Sequence, residues 1–123
     1  MSVKCEEYSG TCVMEVQGDF LGDTAALAKK SMEQYITSRQ LADFIVDFQK
    51  STFIDSEGLE SLLWMKRRCE EIFGRIKLVN LDDNCRKILE ITRLDHHFEC
   101  QADLPTALKT IFIAAMLSRL TCP

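Results

Sequence analysis

Basic residues are the minority charge in this chain: 15 Lys and Arg stand against 19 Asp and Glu, for a formal net charge of −4. That balance leaves no basic stripe to neutralise a phosphate backbone, so direct nucleic-acid binding is not expected and protein partners are favoured. Proline is almost absent, with only Pro105 and Pro123, and glycine is limited to 5 residues. With no Pro/Gly-rich linker, low-complexity tract or internal repeat, the 123 residues are expected to form one domain, 1–123. A chain of this length buries about two thirds of its unfolded surface and needs no metal or disulfide staple. Long apolar runs are missing too. The longest extends only from Ile111 to Leu117, well short of the roughly 18 residues that span a bilayer, so no membrane span is expected.

Cysteine, by contrast, is plentiful: Cys5, Cys12, Cys69, Cys85, Cys100 and Cys122. There is no Cys-x-x-Cys pair, most of these positions fall in strand or helix patterns, and Met1 to Lys4 does not open into a signal-peptide core. Reduced thiols and a cytoplasmic location are the expectation.

Val3 to Tyr8 and Thr11 to Val16 show partial alternation around Ser9-Gly10, which predicts an antiparallel hairpin. Gly18 ends the second strand, and Asp23 is placed to cap a helix from about Thr24 to Ser38 with Leu27, Ser31, Met32 and Tyr35 on one face. Phe44 to Phe48 reads as a central strand covered on both sides. From Leu59 to Phe73, the residues Leu59, Leu62, Leu63, Cys69, Ile72 and Phe73 have helical spacing, with Gly74 as the stop. Ile76 to Val79 predicts another strand. Asp82 or Asp83 can then cap a helix carrying Cys85, Ile88, Leu89 and Ile91 to about Thr92, and a short strand near Phe98 follows. Asp103 and Pro105 start an apolar C-terminal helix, about 104–120, with Leu108, Ile111, Phe112, Ala115 and Met116 facing inward. Strands alternating with helices imply an α/β fold with a largely parallel sheet.

One hydroxyl stands at the corner between the central strand and its helix, in Ile54-Asp55-Ser56-Glu57-Gly58-Leu59. The first turn of a helix has unpaired N–H groups and the positive end of the macrodipole, which favour a side-chain oxygen or an added phosphate. Asp55 or Ser56 can equally be an N-cap and nothing more.

The phrase Phe53-Ile54-Asp55-Ser56-Glu57-Gly58-Leu59, the later Val79-Asn80-Leu81 and Ile88 to Leu94, and the order of elements resemble the STAS domain family, in particular bacterial anti-sigma factor antagonists. The similarity runs from about Val3 to Ile111. It implies a STAS fold, a mixed and mostly parallel sheet of four to five strands with about four helices. It also implies that Ser56 is a phosphoacceptor for an anti-sigma factor that is itself a serine kinase, that the unmodified chain binds this partner, and that a PP2C-type phosphatase resets the switch. No catalytic residue would belong to this chain. Gly18-Asp19-Phe20-Leu21 stands where the family commonly has Gly-Glu-Leu-Asp, so Asp19 keeps one acid of a partner loop and Leu21 replaces the other. Arg93 stands where a helix-ending glycine is usual.

Asp19, Asp55, Glu57 and Gly58 are therefore the expected partner contacts around Ser56. Gly58 would let a partner's backbone approach the hydroxyl. Trp64 lies off the apolar stripe with Arg68 and Glu71 and is a further candidate contact. Asp95, His96, His97 and Cys100 offer ligand types for zinc, but no spaced set completes a site and no phrase supports a Cys-His nucleophile. No metal, cofactor or enzymatic activity is expected. Ile113 and Leu117 fall beside the main stripe of the last helix, which leaves open a homodimer contact or a broader contact with its own sheet.

Overall fold

The computed structural model describes residues 2–121, excepting the side chains at 115 and 118–121. Strands β1 (Ser2–Tyr8) and β2 (Thr11–Gln17) form the hairpin, in register from Ser2 opposite Gln17 to Tyr8 opposite Thr11. Its turn holds Ser9 at φ 50° and Gly10 at φ 85°, the left-handed pair that matches the twist of the strands. The chain continues through α1 (Gly22–Arg39), β3 (Asp43–Asp47), α2 (Ser56–Glu71), β4 (Arg75–Val79), α3 (Asp83–Ile91), β5 (Glu99–Gln101) and α4 (Leu104–Thr121). The sheet order is β1-β2-β3-β4-β5, antiparallel only between β1 and β2.

Period-2 alternation divides the core into two layers. Cys12, Met14, Val16, Phe44, Val46, Ile76 and Leu78 face α1, α2 and α3, while Val13, Ile45 and Val79 face Ala107 and Ile111 of α4. Lys77 also points to the α4 side, almost fully buried, and is satisfied by Thr110 Oγ1 at 3.0 Å and Glu99 Oε2 at 2.7 Å. A lysine buried in this way needs such partners to offset its desolvation.

Several local expectations are corrected. Leu21, not Asp23, is the N-cap of α1, which starts at Gly22. The inner face is Ala25, Ala28 and Met32, the two alanines being small enough to let the helix lie close to the sheet, and Leu27 is turned outward. In α2, Met65 joins the core, whereas Phe73 follows the helix and is 97% exposed. Ile91 is exposed as well. Phe112 and Met116 border a cleft of about 420 Å³ beside Tyr8, Ser9 and Thr11, so they do not pack inward. Ile113 and Leu117 stay exposed as well. The Ala115 side chain and Cys122 lie outside the described residues.

α2 and α3 end in the same way without glycine at the left-handed position. Phe73 (φ 59°) donates to the Glu70 carbonyl at 3.2 Å and Gly74 to Cys69 at 2.8 Å; Arg93 (φ 61°) donates to Glu90 at 3.1 Å and Leu94 to Leu89 at 2.8 Å. These are Schellman pairs, so Arg93 keeps the ordinary cap geometry and bears its steric cost. Gly74 is required for another reason, since a Cβ there would overlap the Ala42 carbonyl. Arg93→Gly is expected to raise stability by about 1 kcal/mol, because a β-carbon in this region costs about that much. Thermal unfolding checks this, and an unchanged or lower midpoint would contradict it.

Candidate functional site

The corner at Ser56 is built from two helix N-termini. α1 and α2 run side by side in the same direction, as shown by the Lys29 ammonium 5.6 Å from the Trp64 ring centroid and by Arg68 Nε on Glu33 Oε1 at 2.5 Å. Asp55 is the N-cap of α2, its Oδ1 accepting from the Gly58 N–H at 2.7 Å. Its Oδ2 accepts from the Gly22 N–H, the first of α1, at 3.3 Å. One carboxylate thus serves both helix starts, where the positive ends of two macrodipoles meet.

The choice of cap left open by the sequence is resolved in favour of Asp55. Ser56 is the first residue of α2 and is exposed. Because Asp55 fills the capping role, the Ser56 hydroxyl is not required for it.

The segment that presents Ser56 is tied down at several points, all beyond the carboxyl ends of β2 and β3, where ligands and partners commonly meet α/β sheets. Phe20 forms a parallel bridge with Ile54, receiving Asp55 N–H at 3.4 Å and donating to Phe53 at 2.9 Å. Asp19 Oδ1 accepts from Thr52 N–H at 3.0 Å and from Thr52 Oγ1 at 3.1 Å. Ser51 Oγ donates to the Gly18 carbonyl at 2.5 Å, and Asn84 Nδ2 donates to the Thr52 carbonyl at 2.5 Å. Asp19 therefore fixes the loop, whatever else it meets.

Glu57 is exposed on the same first turn, and its carboxylate lies over Gly22, where a Cβ would overlap Oε2. Gly58 does not form part of the exposed surface. It is buried, and a Cβ there would overlap the Phe20 carbonyl and lie 3.0 Å from Ile54 Cγ2 and from Phe20 Cδ2. Its lack of a side chain is used by Phe20 of the same chain, so glycine is required here by the fold itself. Trp64 is 36% exposed, leaning toward α1 and Lys29, two turns from Ser56 and about 12 Å along the axis. It shares a surface with the corner without touching it. Phe53, beside the corner and 43% exposed, is a surface residue that sequence reasoning misses; the burial of Ile54 next to it implies by alternation that Phe53 points out.

Leu21 is the N-cap of α1 and makes no side-chain cap bond. The acid missing from the loop phrase is thus also a missing helix cap. Leu21→Asp is expected to stabilise the fold by about 1 kcal/mol, raising the melting temperature by about 3–6 °C; no rise would show that the N-terminus of α1 has no need of a cap.

His96 and His97 lie on a 3-10 turn, Asp95–His97, and not on the extended segment expected; His96 Nε2 is 3.7 Å from Asp95 Oδ2. Among the described residues no three His, Cys, Asp or Glu side chains gather as a metal site, and no helix is long and apolar enough to cross a membrane.

This architecture has known counterparts. The phosphorylated form of the Bacillus cell fate determinant SpoIIAA superposes with a TM-score of 0.69 at 20% identity, over 89% of this chain and 98% of that one. A serine-to-glutamate variant of RsbS from Moorella thermoacetica gives 0.80 at 15% identity over 93% and 97%. A sulfate transporter family protein from Wolinella succinogenes gives 0.80 at 17% identity over 90% and 92%. These identities are low enough that the likeness speaks for the fold. The STAS domain family model matches residues 2–107, and with the sheet, the two parallel helices and the capped serine corner in place, the chain belongs to the STAS domain family.

Proposed function

We propose that this chain is an anti-sigma factor antagonist, a protein-binding regulator and not an enzyme, switched by phosphorylation of Ser56. The observation that carries the reading is an exposed serine at the first position of α2 whose capping duty is already filled by Asp55. A phosphate there adds about −1.5 to −2 charges. Within the chain, two helix N-termini offset part of that charge. At a docked interface, the phosphate joins Asp55 and Glu57 in one acidic cluster that an acidic or apolar partner surface repels.

SpoIIAA, similar in fold, is described both as an anti-sigma factor antagonist in its unphosphorylated form and in a phosphorylated form, which supports the same pair of states here. The partner is then an anti-sigma factor with serine kinase activity, reversed by a PP2C-type phosphatase. Asp19, Glu57, Phe53 and Trp64 border the face it would meet. Calorimetric titration with the anti-sigma kinase from the same genome tests this. A one-to-one complex of micromolar affinity or tighter is expected for the unmodified chain, and no binding to any such kinase would overturn the reading.

Leu21 favours a second reading, a scaffold or subunit of a sensory or transport complex that uses the same face without phosphorylation. The fold shared with a sulfate transporter family protein is compatible with it. A scaffold tolerates Ser56→Ala and Ser56→Asp alike, whereas a switch responds to them in opposite ways.

A further inference from the structure

The first hairpin holds two thiols that the switch at Ser56 does not use. Cys5 stands opposite Met14 and Glu7 opposite Cys12, so Cys5 and Cys12 are diagonal neighbours across β1 and β2. Both turn toward the layer covered by α1: Cys12 is fully buried in that core and Cys5 is half-buried against it. The two side chains therefore share one face of the hairpin, beneath the same helix. Both are free thiols.

We propose that Cys5 and Cys12 form a redox-active pair, in which a peroxide oxidises Cys5 and Cys12 resolves the product to a disulfide across the first hairpin. In the first step the Cys5 thiolate attacks one peroxide oxygen. The S–O bond forms, the O–O bond breaks, and the departing alkoxide or hydroxide takes up a proton, leaving a sulfenic acid. In the second step the Cys12 sulfur attacks the Cys5 sulfur. The S–S bond forms, the S–O bond breaks, and hydroxide leaves with the Cys12 proton as water. The peroxide gains two electrons and the two thiols lose them. A small external thiol reverses the reaction by exchange.

The surroundings divide the roles. Cys12 and Ser31 as hydrogen-bond partners bring the Cys5 thiol down to about 7 against the effect of burial, while the same contact with Cys5, with burial added, raises Cys12. Cys5, the partly exposed member of the pair and the one whose thiol is lowered, is thus the nucleophile, and the fully buried Cys12 is the resolving thiol. Cys69 and Cys85 are buried with their thiols raised to about 12, chiefly by burial, and burial raises Cys100 as well. The gap to be closed lies along the strands, since Cys5 faces Met14 and Cys12 is two positions on, so a diagonal bridge requires β1 to shift lengthwise against its ladder with β2. β1 is an edge strand, so no second ladder opposes that shift. A disulfide closed against such resistance is readily reduced, which suits a reversible modification.

The test treats the full chain with hydrogen peroxide, blocks remaining thiols, digests without reductant and maps the peptides by mass spectrometry. The expected product is a Cys5–Cys12 linked peptide, lighter by two hydrogen atoms than its reduced parts and forming at least about tenfold faster than oxidation at Cys100. In Cys12→Ala, a 1,3-diketone should trap sulfenic acid on Cys5, and in Cys5→Ser both products should vanish. Wild-type mapping suffices if Cys12→Ala does not fold. Oxidation of Cys100 ahead of Cys5, or bridges only between copies that persist in Cys5→Ser, would overturn the proposal.

Discussion

Ser56→Asp is expected to weaken binding of the anti-sigma partner by at least about tenfold, equivalent to about 1.4 kcal/mol, while the melting temperature moves by no more than about 3 °C. The two halves of this expectation have separate causes. The fold is insensitive because the hydroxyl is exposed and Asp55, not Ser56, satisfies the Gly58 N–H. An added carboxylate at the first helical position also meets the favourable end of the macrodipole. The interface is sensitive because the new charge stands between Asp55 and Glu57 on a turn whose partner must desolvate it. Ser56→Ala should bind like the unmodified chain. A phosphate, with more charge than aspartate, should exceed the effect of Ser56→Asp. Equal affinity for all three forms would indicate the scaffold reading.

Gly58→Ala is expected to cost about 3 kcal/mol of stability, a large share of the 5–15 kcal/mol typical of a domain. The added Cβ would overlap the Phe20 carbonyl, and Ile54 Cγ2 and Phe20 Cδ2 at 3.0 Å leave it nowhere to turn. Relief requires the first turn of α2 to move away from Phe20, whose backbone holds Phe53 and Asp55 in place. The urea midpoint should fall with little change in slope, since the surface exposed on unfolding is nearly the same. Partner affinity of the folded fraction should fall only as far as the corner shifts. Unchanged stability with lost binding would instead mark Gly58 as a contact residue. Ser56→Asp and Gly58→Ala therefore separate along different axes, binding for one and folding for the other.

Where local pattern decides, the sequence is readable. The alternation in Thr11 to Val16 and the continuous Phe44 to Phe48 run specify which residues meet which layer, and Ser9-Gly10 specifies the hairpin. The serine corner is legible because an apolar strand, a cap-forming acid and a helical stripe adjoin within a few residues. What stays hidden depends on distant segments. The bond from Gly22 to Asp55 joins positions 33 apart, and no local signal marks it. Nor does any local signal assign Gly58 to Phe20, which is why its missing side chain reads as room for a partner. Leu27 looks like core by hydrophobicity, but the close approach of α1 selects Ala25 and Ala28. Phe73 and Arg93 show the opposite limit: helix ends can adopt left-handed caps with residues that pattern reading would not choose.

The proposed switch rests on one hydroxyl. The most direct measurement incubates the chain with the anti-sigma kinase of the same genome and ATP, then maps phosphate by tandem mass spectrometry. Stoichiometric phosphate on Ser56, absent from Ser56→Ala, is the predicted result. Phosphate on another residue, or none at all with a kinase shown to be active, would contradict it.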